Sequence, residues 1–157
     1  MDDVTVARAL HVLAVIHWIG GVVFVTTVIL PAVTSIADPS GRLALFEMIE
    51  GRFSAQVKVS VPVAGLSGAY MAERLDSWGR FVEPADWWLA AMAIVWFLFM
   101  AILFVVEPFV LRGWFRRRAM DDPDGTFRLV QRAHWGLLAA GATTATAAVL
   151  GAHGLLV

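Results

Sequence analysis

The chain has 157 residues, of which 59% are hydrophobic and 16% charged, against roughly 45–50% apolar and about 25% charged in a soluble domain. That composition excludes an ordinary soluble fold, and three or four spans of about 20 residues would use nearly the whole length, leaving no room for a separate soluble domain. A formal net charge of −1 gives no reason to expect nucleic acid as a partner, and the absence of cysteine excludes disulfides, thiolate metal sites and iron–sulfur clusters.

The pattern predicts an all-α, four-transmembrane-helix bundle forming a single integral membrane domain over residues 1–157. Its start, "MDDV", is acidic, and the apolar run behind it outlasts the roughly 7–15-residue core of a signal peptide, so it reads as a retained span. This first span covers residues 4–30 and is expected to stop at Pro31, which lacks a backbone donor. Residues 38–52, "DPSGRLALFEMIEGR", open with turn formers and continue with apolar residues at helical spacing. A short interfacial helix between spans 1 and 2 fits that pattern. The second span, 53–72, carries Lys58, Pro62 and several small residues, which suit a helix facing protein more than lipid. The third, 87–111, opens with Trp87 and Trp88 and ends in "VVEPFVLRGW", as an aromatic belt requires. The fourth, 127–156, presents Gly and Ala over much of its surface and should pack closely.

Arginine sets the expected orientation. Arg112, Arg116, Arg117, Arg118 and Arg128 fall in the third connection and Arg42 and Arg52 in the first, whereas Arg74 and Arg80 of the second stand among acids. The positive-inside rule then gives an N-out, C-out bundle, and the expected location is the cytoplasmic membrane of a bacterium or archaeon.

Imidazoles inside apolar helices ask for a reason, because ionisable groups at membrane depth are costly. In the expected bundle His11 lies roughly 10 Å, and His153 about 5 Å, from the outer end of its helix, so these two are candidates to share a ligand. His17 is about 9 Å deeper than His11 and about 120° around the helix, so both cannot face one iron. Trp18 returns to nearly the face of His11, and Gly20 and Gly21 would admit a flat group. On the inner side Lys58, Glu107 and His134 form a second expected polar level. Neutral imidazole ligates haem iron and also copper; two facing histidines beside glycine favour haem b, with copper as the alternative cofactor. Each has a plainer reading: a hydrogen-bonded or interfacial histidine for His11 and His153, a lysine reaching the headgroups for Lys58, and a solvated carboxylate for Glu107. Met71 and Met92 would lie toward the outside as soft Cu(I) ligands, but without an M-x-x-M cluster packing is the simpler role.

The stretch "LHVLAVIHWIGG" resembles the first-helix signature of the copper-resistance protein D (CopD) family and of the HemJ-type protoporphyrinogen oxidases: a histidine, a tryptophan seven residues on, then a small-residue pair. With "RAHWGLL" and "GAHG" late in the chain, the resemblance covers essentially the whole sequence and extends to transmembrane b-type cytochromes. It implies His11 as a haem or metal ligand. The Gly-Gly pair looks more like the copper-resistance type, which implies copper handling; where the HemJ type has "YLPRLF" and a lysine leading into the third span, this chain reads "VTTVILPAV" and "DWWLAAM".

The leading expectation is a haem b-binding membrane protein in electron transfer or membrane redox chemistry, an oxidoreductase if an enzyme, with His11 and His153 as axial ligands and His17 and His134 as second-rank candidates for an alternative pair or a proton path. Its partners would be the lipid bilayer and a quinone or partner redox protein, and a homo-oligomer is compatible with it. The rivals are a copper transport or copper-resistance protein using His11, His17 and Met71, and a cofactor-free assembly subunit.

Overall fold

The computed structural model describes residues 3–156, apart from the side chains of 110–112, so the Arg112 side chain counted above lies outside the description. Among the described residues the chain is helical without strands. Helix α1 runs Asp3–Thr34 and α2 Pro39–Arg74. Helix α3 is α-helical over Trp87–Ala101 and continues with wide π-turns over Ile102–Leu111. A short helix α4 (Arg112–Asp121) leads into α5 (Pro123–Ala152). Three helical stretches, Asp3–Thr34, Pro84–Phe109 and Pro123–Ala152, are long and apolar enough to cross a membrane.

Pro31 does not end the first helix. Just before it the backbone widens into π-turns over the five residues Val25–Ile29, and the Leu30 N–H donates to the Val25 carbonyl. The Thr26 carbonyl would then need the N–H of Pro31, which has none. The Gln131 side chain donates to it instead, at 2.8 Å, so the helix continues to Thr34 with its freed carbonyl satisfied from α5.

The expected interfacial helix over 38–52 is not separate from the second span either: both belong to the 36-residue helix α2. No residue in the junction around Gly51 and Arg52 breaks a helix, and Arg116 secures the charged half by pairing with Glu47 at 2.9 Å. Asp38 caps α2 by accepting from the backbone of Ser40 and Gly41, and Pro39 takes the first helical position, where no N–H is needed. The same arrangement recurs at α5: Asp122 accepts from the Gly125 N–H at 2.9 Å and Pro123 follows it. Both capped ends lie together, joined by Arg42 to Asp124 at 2.6 Å.

Neighbouring helices run antiparallel. Along α1 and α2, Asp3 meets Arg74, His11 meets Ala64, His17 meets Ser60 and Gly21 meets the ring of Phe53. The α2–α3 pair is fixed by the Trp96 indole donating to the Val61 carbonyl at 2.8 Å, and the α3–α5 pair by Trp88 lying over Gly151. Two apolar cores follow. One gathers Ala14, Trp18, Val22, Val57, Val61, Ala64 and Phe99; the other gathers Val25, Leu30, Val33, Phe46 and Phe127 near the capped ends. Outward, Leu13, Ile16, Ile94 and Phe97 are all more than 60% exposed, which in water would be an aggregation hazard and in a bilayer is a lipid-facing surface.

Candidate functional site

His11 is half-buried on α1 and turned onto α2. Its Nδ1 lies 2.8 Å from the Ala64 carbonyl and 3.3 Å from Ser67 Oγ. A carbonyl only accepts, so Nδ1 carries the hydrogen and Nε2 keeps the lone pair. Gly68 makes the room: a Cβ there would stand 3.3 Å from His11 Cε1. Trp18, on the same face two turns further along, is buried against Phe99 in an edge-to-face pair with centroids 4.7 Å apart. Its Nε1–H is buried and finds no acceptor among the described residues. Gly21 gives its space to Phe53, while Gly20 faces open space.

His153 caps the end of α5, exposed, with Nδ1 2.7 Å from the Val149 carbonyl of its own helix; its Nε2 also keeps a lone pair. Ile19 touching Gly141 and Gln131 bonding Thr26 fix the α1–α5 register, which sets His153 about 6–10 Å nearer the helix ends than His11. His17 has both nitrogens engaged: Nδ1 is 3.1 Å from Ser60 Oγ and Nε2 3.2 Å from Gln56 Oε1. It stands on the outside of the bundle and has no lone pair left for a metal.

Two of the three residues expected at the inner polar level, Lys58 and Glu107, come together. Lys58 Nζ and Glu107 Oε2 are 2.7 Å apart, and Ser54 Oγ donates to the same carboxylate oxygen at 2.7 Å. Glu107 is 6% exposed and sits on the wide turns of α3, a backbone form that recurs at functional sites. His134 is not brought there. It bonds the Val130 carbonyl of its own helix at 2.9 Å, and the same α1–α5 register places it about 10 Å closer to the arginine-rich end.

Ser54, Ser60, Ser67, Gln56 and Gly68 are the neighbours of these side chains that composition alone does not single out. Ser60 and Ser67 carried a usable signal, since residues seven apart return to one helix face. Among the described residues no group of three or more His, Asp or Glu side chains is placed to hold a metal ion. Two cavities, of about 480 and 380 Å³, lie at the arginine-rich end, lined by Trp114, Arg117 and Arg118 and by Arg42, Arg128 and Arg132 respectively. Comparison with protein-family models, with curated proteins and with solved structures finds no match.

Proposed function

We propose that this chain is a four-span membrane protein, N-out and C-out, that binds b-type haem at His11 and passes electrons. The observation that carries the reading is the Ala64 carbonyl 2.8 Å from His11 Nδ1. A ligating histidine is characteristically held this way, its second nitrogen bonded to a backbone carbonyl so that tautomer and ring orientation are fixed and the free nitrogen is more basic. Among the chain's donors His11 Nε2 would hold the haem iron, and His153 Nε2, about 6–10 Å nearer the helix ends, is the second candidate. The unsatisfied Trp18 indole N–H adds a buried donor on the same face of α1 for an acceptor on a bound group. Bound there, haem would supply one-electron transfer. The chain's own part is to hold His11 against α2, with Ser67 and Gly68 keeping the ring in place, and to exclude water through the Trp18–Phe99 core.

The fourth span in this reading is the middle and end of α2, whose small residues suit close packing on α1 and α3 while Val59 and Leu66 face outward. The arginines in the half of the molecule toward the capped ends, Arg42, Arg52, Arg116, Arg117, Arg118, Arg128 and Arg132, support the N-out, C-out orientation. The test is an oxidised-minus-reduced visible spectrum of the detergent-purified protein expressed with haem precursor. A b-type α band lost in His11→Ala and weakened or shifted in His153→Ala is the expected result. A featureless spectrum of haem-replete protein overturns the haem reading.

A further inference from the structure

His17, Gln56 and Ser60 form a polar island on an apolar surface. His17 and Gln56 are exposed, and around them Leu13, Ile16 and Val59 are 64%, 62% and 65% exposed. Gln56 stands midway along α2, seventeen residues from Pro39 and eighteen from Arg74, and His17 is near the middle of the 32-residue α1. His17 lies midway along the expected first span, residues 4–30, and Gln56 one turn inside the start of the expected second, residues 53–72, so both fall within a hydrocarbon layer about 30 Å thick.

The island is internally satisfied but for one group. Gln56 Oε1 accepts from His17 Nε2–H, and Ser60 Oγ–H donates to Nδ1. The Gln56 amide nitrogen keeps its hydrogens without an acceptor among the described residues, and lipid tails offer none. An unsatisfied donor within the bilayer is costly, and a membrane-soluble partner able to accept a hydrogen bond would satisfy it.

We infer that the occupant is a second copy of this chain, packed about a twofold axis through Gln56. A primary amide is self-complementary: each copy's amide N–H donates to the other's Oε1, which has a second lone pair beyond the one used by His17, and a twofold interface needs that reciprocity. Gly20, one turn from His17 with nothing within 4 Å of its missing Cβ, lets another helix approach closely. The surrounding side chains project from the surface, a face that suits a helix better than a cavity suits a small molecule. This inference rests on α2 lying in the bilayer and is independent of haem at His11.

The chain has no cysteine, so Val59→Cys provides a single thiol one turn from an intact Gln56. In vesicles, oxidation of full-length Val59→Cys with copper phenanthroline should give a disulfide-linked dimer, whereas Ile94→Cys on α3 should not. Adding Gln56→Leu should weaken dimerisation, read by energy transfer between labelled copies on dilution into lipid, by about tenfold or more; Gln56→Asn should keep part of it. A thiol at 59 that reacts with a membrane-impermeant maleimide places α2 outside the bilayer and overturns the inference at its root. A protected thiol that does not cross-link, or dimers indifferent to Gln56→Leu, overturns the dimer alone. A monomer that loses a co-purifying isoprenoid quinone on Gln56→Leu overturns it in favour of a lipid-soluble carbonyl compound.

Discussion

Lys58 and Glu107 pair opposite charges between α2 and α3, with the carboxylate buried. The chain has a single lysine, and its ammonium meets the carboxylate at 2.7 Å while Ser54 takes part of the remaining hydrogen-bonding capacity. Removing one partner of a buried pair leaves an uncompensated charge and costs about 3 kcal/mol or more, whereas replacing both by apolar groups of similar volume is often neutral. Lys58→Met and Glu107→Leu should therefore each lower the midpoint of thermal unfolding in detergent, and the double variant should recover most of the loss. Equal, additive losses would show that the pair contributes nothing as a pair. The proximity of Lys58 and Glu107 was readable from their depths in the sequence. The separation of His134 from them was not, because depth counted from helix ends takes each helix to end where its apolar run ends, and α5 begins at Pro123, ahead of the expected boundary.

At the scale of the element, the start at Asp38 was legible, the one at Asp122 was passed over for a start at 127, and the stop signal at Pro31 was misleading. Asp-Pro followed by Gly at 38–41 and 122–125 specifies a capped helix start, and both helices begin there. Pro31 looked like a stop because a proline inside a regular α-helix leaves a carbonyl without a donor; the wide turns and Gln131 together remove that penalty, and a side chain about 100 residues away is invisible to local pattern. The Asp38 cap has a pH signature. The hydrogen bond from Ser40 Oγ, with that from the Gly41 N–H, holds the Asp38 carboxyl below its ordinary 3.8. A carboxyl lowered by folding stabilises the helix start fully above 3.8 and loses that contribution as pH falls through the lowered value. Amide protection at the start of α2, taken relative to the intrinsic exchange rate at each pH, should fall over that acid window in the wild type and stay level in Asp38→Asn, which caps without titrating. Acid-induced fraying of the same size in the variant would assign the effect to another group.

For the whole molecule, fold class was readable from composition and the up-down helix order from short connections. Which histidine faces which neighbour was not, since that depends on helix rotation: His11 turns inward to α2 and His17 outward, though both lie in one apolar run. The architecture divides into α1–α2 and α3–α5, each an apolar helix with wide turns near its arginine-rich end followed by an Asp-Pro-capped return helix. They are joined only by residues 75–86, two short 3₁₀ turns in which Val82 is 83% and Leu75 52% exposed.

That connector has a consequence for how the chain can be made. Exposed, weakly packed connections are where chains tolerate a break, and helices inserted in a bilayer find one another by lateral packing rather than through the polypeptide between them. Residues 1–79 and 80–157, expressed as two polypeptides in one membrane, should co-purify through the Val61–Trp96 and Arg42–Asp124 contacts. If neither half retains the other, the connector holds the two pairs together. If they reassemble, the protein is a partnership of two hairpins that happen to be translated as one.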